Sequence, residues 1–126
     1  MSEEIDNIFH KVSDLFTYVS DKENYDQPEH WKQHAAAVNA GEDFTGDCDD
    51  FANTCAELLS QAGISDVRII FCKVETGGGH LVCGVDTEDD TLILDNRQRF
   101  VVSAGELSRY EFIKGLRVGS NEWREI

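Results

Sequence analysis

The chain has 126 residues, a length that fits one domain and allows roughly two-thirds of the unfolded surface to be buried on folding. Its hydrophobic content of 40% is that of a globular protein, and its net charge of −14 repels phosphate backbones and anionic lipids. We therefore expect a single domain over residues 1–126 that binds neither nucleic acid nor membranes.

The four cysteines, at positions 48, 55, 72 and 83, have neither the close-spaced pairs of a zinc site nor the density of a disulfide scaffold. We expect free thiols, with a zinc protein that uses Cys48 and His80 as an alternative. The N-terminus is acidic and has no basic segment followed by an apolar run, which favours a cytoplasmic location. A periplasmic location would follow if a signal had been removed.

Apolar residues recur at helical spacing from Ile5 to Val19 and predict a first helix of about four turns. Residues 21–47 are less regular and predict a short helix within a loop, with Trp31 in the core or in a substrate cleft. A second helix is predicted from Cys48 to Ala62, because Asp47 can cap it and Asp50 follows at nearly the spacing of a capping box.

Three strands are predicted after the second helix, at residues 67–74, 80–85 and 91–95. Residues 99–102 are a candidate fourth strand, and residues 107–118 are compatible with either helix or strand. Helices followed by an antiparallel meander predict an α+β domain with the helices on one face of the sheet.

Three side chains suggest the chemistry. A cysteine at the first turn of a helix meets free N–H groups and the positive end of the helix dipole, so Cys48 is a candidate nucleophile whose own N–H can bind an oxyanion. His80 follows three glycines at the start of a strand, and Asp95 closes the next strand. They are candidates for the base and for the carboxylate that orients it. The second oxyanion donor stays open between Asn39 and a backbone amide.

The run Gly46–Ala52, with Trp31 before it and with His80-Leu81-Val82 and Leu94-Asp95-Asn96 after it, resembles the bacterial transglutaminase-like cysteine proteinases of the papain-like group. The resemblance covers roughly residues 31–96. It implies a papain-like or transglutaminase-like core in a bacterial or phage protein, and a protein or peptide substrate. It also implies Cys48 as nucleophile, His80 as base and Asp95 as orienting residue. The family more often has Glu where this chain has Asp49.

The acidic residues Asp47, Asp49 and Asp50 should raise the pKa of Cys48 and oppose thiolate formation, and a bound cation would relieve this effect. Some related bacterial proteases depend on calcium through acidic residues beside the cysteine. We therefore hypothesise a Ca²⁺ site at these three residues, although the reaction itself requires no cofactor. The alternative is that Asp47 caps the helix and the other two are solvated.

These observations together predict a cysteine hydrolase, and more specifically a peptidase that forms a thioester on Cys48. Two alternatives share the scaffold. One is a transglutaminase-type acyltransferase on the same triad, and the other is an inactive binding module.

Overall fold

The computed structural model describes residues 2–19, 34–88, 90–120 and 122–126. Trp31 lies outside the described residues, as does much of the loop in which it was predicted. There are three described helices: α1 (Ser2–Leu15), α2 (Ala35–Asn39) and α3 (Cys48–Gln61). None of these helices has the length and apolar character needed to cross a bilayer.

Eight strands are described, and a single 3-10 turn follows the sixth. They are β1 (Phe16–Tyr18), β2 (Phe44–Gly46), β3 (Val67–Lys73), β4 (Gly79–Asp86), β5 (Thr91–Leu94), β6 (Val102–Ser103), β7 (Glu111–Arg117) and β8 (Arg124–Glu125), and the turn is Ala104–Glu106.

Six of the strands form one sheet in the order β6-β5-β4-β3-β7-β8, and every neighbouring pair is antiparallel. The predicted meander is confirmed for β3, β4 and β5. The segment at residues 107–118, predicted as either helix or strand, contains β7. This strand pairs with β3 on the side away from β4. The candidate fourth strand at residues 99–102 is wrong except for Val102, because the chain joins β5 only at Val102–Ser103.

The predicted first helix is wrong at its C-terminal end. It stops at Leu15, and the next three residues form β1, which pairs in parallel with β2. Phe16 explains the change, because its ring packs against two other phenylalanines. Its ring centre lies 5.4 Å from that of Phe44 and 5.0 Å from that of Phe51 in α3. These contacts, together with the strand pairing, tie the end of α1 to the segment that leads into α3.

The sheet has a core on each face because successive side chains of a strand point to opposite sides. On the first face, α1 and α3 cover the alternate residues Leu81, Cys83 and Val85 of β4. On the second face, Val82 packs in a smaller cluster with Leu107 and residues near it. The helices therefore lie on one face, as predicted.

Candidate active site

The amino end of α3 is fixed by a reciprocal capping box. The Asp47 carboxylate accepts from the N–H groups of Asp49 (3.0 Å) and Asp50 (3.4 Å), and the Asp50 Oδ2 accepts from the Asp47 N–H (3.1 Å). These bonds satisfy N–H groups that a helix start leaves without partners. Cys48 is the first residue of the helix, as predicted.

Asp50 is the buried half of this cap, with 1% of the residue exposed. Its Oδ1 lies 3.4 Å from the Nε2 of His34, which is itself buried and stacked on Phe44. Gly46 leaves the space that the carboxylate occupies, since a Cβ at that position would lie 2.5 Å from Asp50 atoms. Asp50 is therefore part of the internal structure of the helix start.

Cys48 is half-buried and lies against the strand that carries His80. The backbone N–H of Leu81 donates a hydrogen bond to the sulfur, and the thiol lies 3.5 Å from the Asp49 Oδ1. Burial raises the pKa of the Cys48 thiol to about 12, the Leu81 N–H opposes this shift, and the charges of Asp49 and Asp47 add to it. Two of the three acidic residues predicted to oppose the thiolate, Asp47 and Asp49, thus raise the Cys48 pKa.

His80 and Asp95 form a buried pair. The His80 Nε2 lies 2.7 Å from the Asp95 Oδ1, and the exposed fractions of the two residues are 7% and 0%. Burial alone would raise the pKa of Asp95, but hydrogen bonds from His80, Tyr110 and the Arg97 N–H outweigh burial and lower it. Asp95 is therefore an ionised acceptor, and the proton of a neutral His80 ring resides on Nε2.

Sequence reasoning missed Tyr110. Its hydroxyl donates to the Asp95 Oδ2 at 2.6 Å, so the carboxylate is held on both oxygens. Tyr110 lies just before β7, in the segment that the sequence left between helix and strand. No local motif marks this residue, and only the crossing of β7 to β3 brings it to Asp95.

The structure brings two of the three predicted catalytic residues together, and it places the third beside the neighbouring backbone of β4. His80 and Asp95 are in direct contact at the ends of β4 and β5, and Cys48 approaches β4 at Leu81 from the helix side. Asn39 is not beside these residues. It donates to Gln61, the last residue of α3, and a helix of this length places that residue about 20 Å from Cys48.

Only one candidate cation group occurs among the residues that the structure describes. Asp47, Cys48 and Asp49 each place a ligand atom within 4.8 Å of the others. Two carboxylates beside each other fit a hard cation such as Ca²⁺, which takes about six to eight oxygen ligands, so they supply part of a shell. Asp50, the third predicted ligand, does not belong to this group because its carboxylate serves the helix cap.

The other cysteines do not extend the site. Cys55, Cys72 and Cys83 are fully buried free thiols, and within the described ranges they form no zinc cluster with Cys48 and His80.

Comparison with known proteins agrees with this architecture. The family model described as bacterial transglutaminase-like cysteine proteinase BTLCP matches residues 1–126. No protein among those with curated functions matches the sequence.

Solved structures of LapG from Legionella pneumophila have the same fold. One is 20% identical with a TM-score of 0.73, and the match covers 92% of this chain and 65% of the LapG chain. The EGTA-treated form is 20% identical with a TM-score of 0.74, over 93% of this chain and 63% of LapG. The calcium-bound form is 23% identical with a TM-score of 0.68, over 87% and 63%.

This chain therefore spans slightly less than two-thirds of the length of LapG. These structural likenesses establish the fold, and the family model, which matches over the full sequence, establishes the family. The chain belongs to the bacterial transglutaminase-like cysteine proteinases.

Proposed function

We propose that this chain is a cysteine peptidase in which Cys48 attacks the amide carbonyl of a protein or peptide substrate. The observation that supports this most directly is the buried His80–Asp95 pair at 2.7 Å, whose strand β4 also contacts the cysteine at the start of α3. Asp95 uses the Nε2 side of the ring, which leaves Nδ1 for the thiol. The hydrogen bond from Leu81 to the Cys48 sulfur supports the same assignment, because Leu81 follows His80 directly.

The reaction has two halves. His80 takes the thiol proton on Nδ1 while the sulfur bonds to the carbonyl carbon, and the resulting tetrahedral intermediate expels the amine, which leaves with that proton. The product is a thioester on Cys48. His80 then deprotonates a water molecule that attacks the thioester, and the carboxylic acid and the thiol are released.

The helix cap makes the Cys48 N–H the candidate oxyanion donor. Asp47 takes the N–H groups of Asp49 and Asp50, and the Phe51 N–H bonds to the Asp47 carbonyl. Of the N–H groups in the first turn, only that of Cys48 is left outside this network of described residues. Its position beside the sulfur suits the negative charge that develops on the carbonyl oxygen.

Asp47 and Asp49 would hold a calcium ion at the edge of this site. A divalent cation bound there would offset the negative charge that raises the Cys48 pKa, and would thereby favour the thiolate. Asp47 would do so while still capping α3, because Asp49 and Asp50 bond to only one of its oxygens.

The test is turnover of casein-derived peptides, read by mass spectrometry. Cys48→Ser and His80→Ala should abolish cleavage with unchanged circular dichroism, whereas Cys55→Ala, which removes a buried thiol two turns along the same helix, should retain it. Cleavage by Cys48→Ser would refute the proposal.

The same assay with an added primary amine separates hydrolysis from acyl transfer. Hydrolysis gives free carboxylic acids, and transfer gives the amide of the added amine. We expect carboxylic acids as the main product.

A further inference from the structure

The Asp95 carboxylate receives donors from separate segments of the chain on its two oxygens. Oδ1 accepts from the His80 ring (2.7 Å) and from the Arg97 N–H (3.0 Å), and Oδ2 accepts from the Tyr110 hydroxyl (2.6 Å). The Tyr110 bond is the shortest of the three. A carboxylate held on one oxygen only can swing about its Cβ–Cγ bond, and the second contact prevents this rotation.

The direction of the Tyr110 hydroxyl is itself fixed. Its oxygen accepts from the Arg97 Nη1 at 3.2 Å and from the Gln98 Nε2 at 3.4 Å. A hydroxyl has one hydrogen to donate, and with two donors directed at its oxygen that hydrogen is left for Asp95.

Arg97 is anchored in turn. Its guanidinium forms two bonds to Glu75, at 2.6 and 3.3 Å, and lies 5.5 Å from the centre of the Tyr110 ring. Glu75 belongs to the turn before β4, so the arginine links that turn to the segment after β5. The Tyr110 hydroxyl is thus part of a polar network that connects the turn before β4 to the segment after β5.

The Tyr110 ring also contacts the imidazole directly. The centres of the Tyr110 and His80 rings are 6.0 Å apart with an interplanar angle of 86°, the edge-to-face arrangement that aromatic rings favour. Tyr110 therefore acts on His80 in two ways, through the carboxylate and through ring packing.

We propose that Tyr110 is a positioning residue that fixes the Asp95 carboxylate, and through it the His80 ring, for attack by Cys48. This inference rests on the proposed triad. Tyr110 need not touch the substrate, because its contribution is to restrict the base to one orientation.

The test uses Tyr110→Phe, which removes the hydroxyl and keeps the ring. Two measurements need no substrate: the rate at which iodoacetamide alkylates Cys48, in calcium and again in EGTA, and the NMR signal of the His80 Nε2–H proton, assigned with His80→Ala. Tyr110→Phe loses a hydrogen bond to a charged group, and we expect its Cys48 to be alkylated roughly five- to tenfold more slowly than that of the wild type. The Nε2–H signal should move upfield, whereas Thr87→Val, which removes a hydroxyl hydrogen bond beyond the opposite end of β4 from His80, should alter neither measurement.

The outcomes separate the two ideas. If His80→Ala slows alkylation but Tyr110→Phe matches the wild type in rate and spectrum, the positioning role is overturned and the triad stands. If His80→Ala has no effect on the rate, the triad fails and the positioning role fails with it. Should Tyr110→Phe not fold, Arg97→Gln removes the donor that orients the hydroxyl. It should then shift the same two measurements in the same direction, and a wild-type result would overturn the inference.

Discussion

The Leu81 backbone N–H donates a hydrogen bond to the Cys48 sulfur, and this contact joins the first residue of α3 to the strand that carries His80. Because the donor belongs to the backbone, the side chain at position 81 is free to serve the core. It packs with the cluster under α3. The position of the sulfur and the packing of the helix on the sheet are therefore one arrangement.

We predict that Cys48 is the one cysteine of four that reacts with iodoacetamide in the folded protein. Cys48 is half-buried, whereas Cys55, Cys72 and Cys83 are fully buried. Intact-mass analysis should show a single adduct under native conditions, located at Cys48 by peptide mapping, and four adducts in denaturant. Cys48→Ser should show none when native. A native adduct at another cysteine would contradict the burial described above.

The capping role of Asp47 predicts different results for two substitutions. Asp47→Ala removes the side-chain acceptor for two N–H groups and should lower the free energy of unfolding by about 1 kcal/mol. Asp47→Asn keeps an acceptor oxygen and should cost clearly less. Urea unfolding in the presence of EGTA measures both without a contribution from metal. Equal losses for the two variants would argue against the cap.

Calcium should raise the melting temperature and the rate of Cys48 alkylation, and EGTA should reverse both effects. A ligand that binds only the folded state stabilises it by about 2.7 kcal/mol at a concentration one hundred times its Kd. Asp49→Asn should abolish the response because it removes one of the two carboxylates beside the sulfur. Asp14→Asn, an exposed position on α1, is the control and should respond like the wild type. No thermal shift and no change of rate in millimolar calcium would rule out the site.

The lowered pKa of Asp95 predicts a specific loss of stability in acid. A carboxyl whose pKa is lower in the folded protein than its ordinary 3.8 contributes stability that is present above that value and is lost as the pH falls through the folded pKa. The difference in unfolding free energy between the wild type and Asp95→Asn should therefore be constant near neutral pH and should shrink below about pH 4. Urea titrations from pH 3 to 7, with the surface variant Glu42→Gln as control, measure it. A difference that does not vary with pH would contradict the prediction.

The parts of the fold that were predicted correctly have local causes. The start of α3 follows from Asp47 and Asp50, whose side chains bond to N–H groups within three residues of them. The hairpin of β3 and β4 follows from two apolar runs separated by a glycine-rich turn. In both cases the residues that decide the structure are neighbours in the sequence.

The parts that were missed have distant causes. Phe16 continues the apolar period of α1, yet its contact with Phe44 places it in a strand. The β7 segment has an ambiguous pattern, and its structure is decided by β3, about forty residues earlier. Tyr110 illustrates the same limit within the site, since its role depends on that crossing.

Gly46 lies two residues before Cys48, and the space around it admits no side chain. Any larger residue there would collide with the Asp50 carboxylate, which closes the cap around Asp47, the residue directly before the cysteine. The absence of a side chain at position 46 thus leaves the room that the Asp50 carboxylate needs to cap α3. Engineered variants of this chain should therefore keep glycine at position 46, because any side chain there would displace the cap at the start of α3.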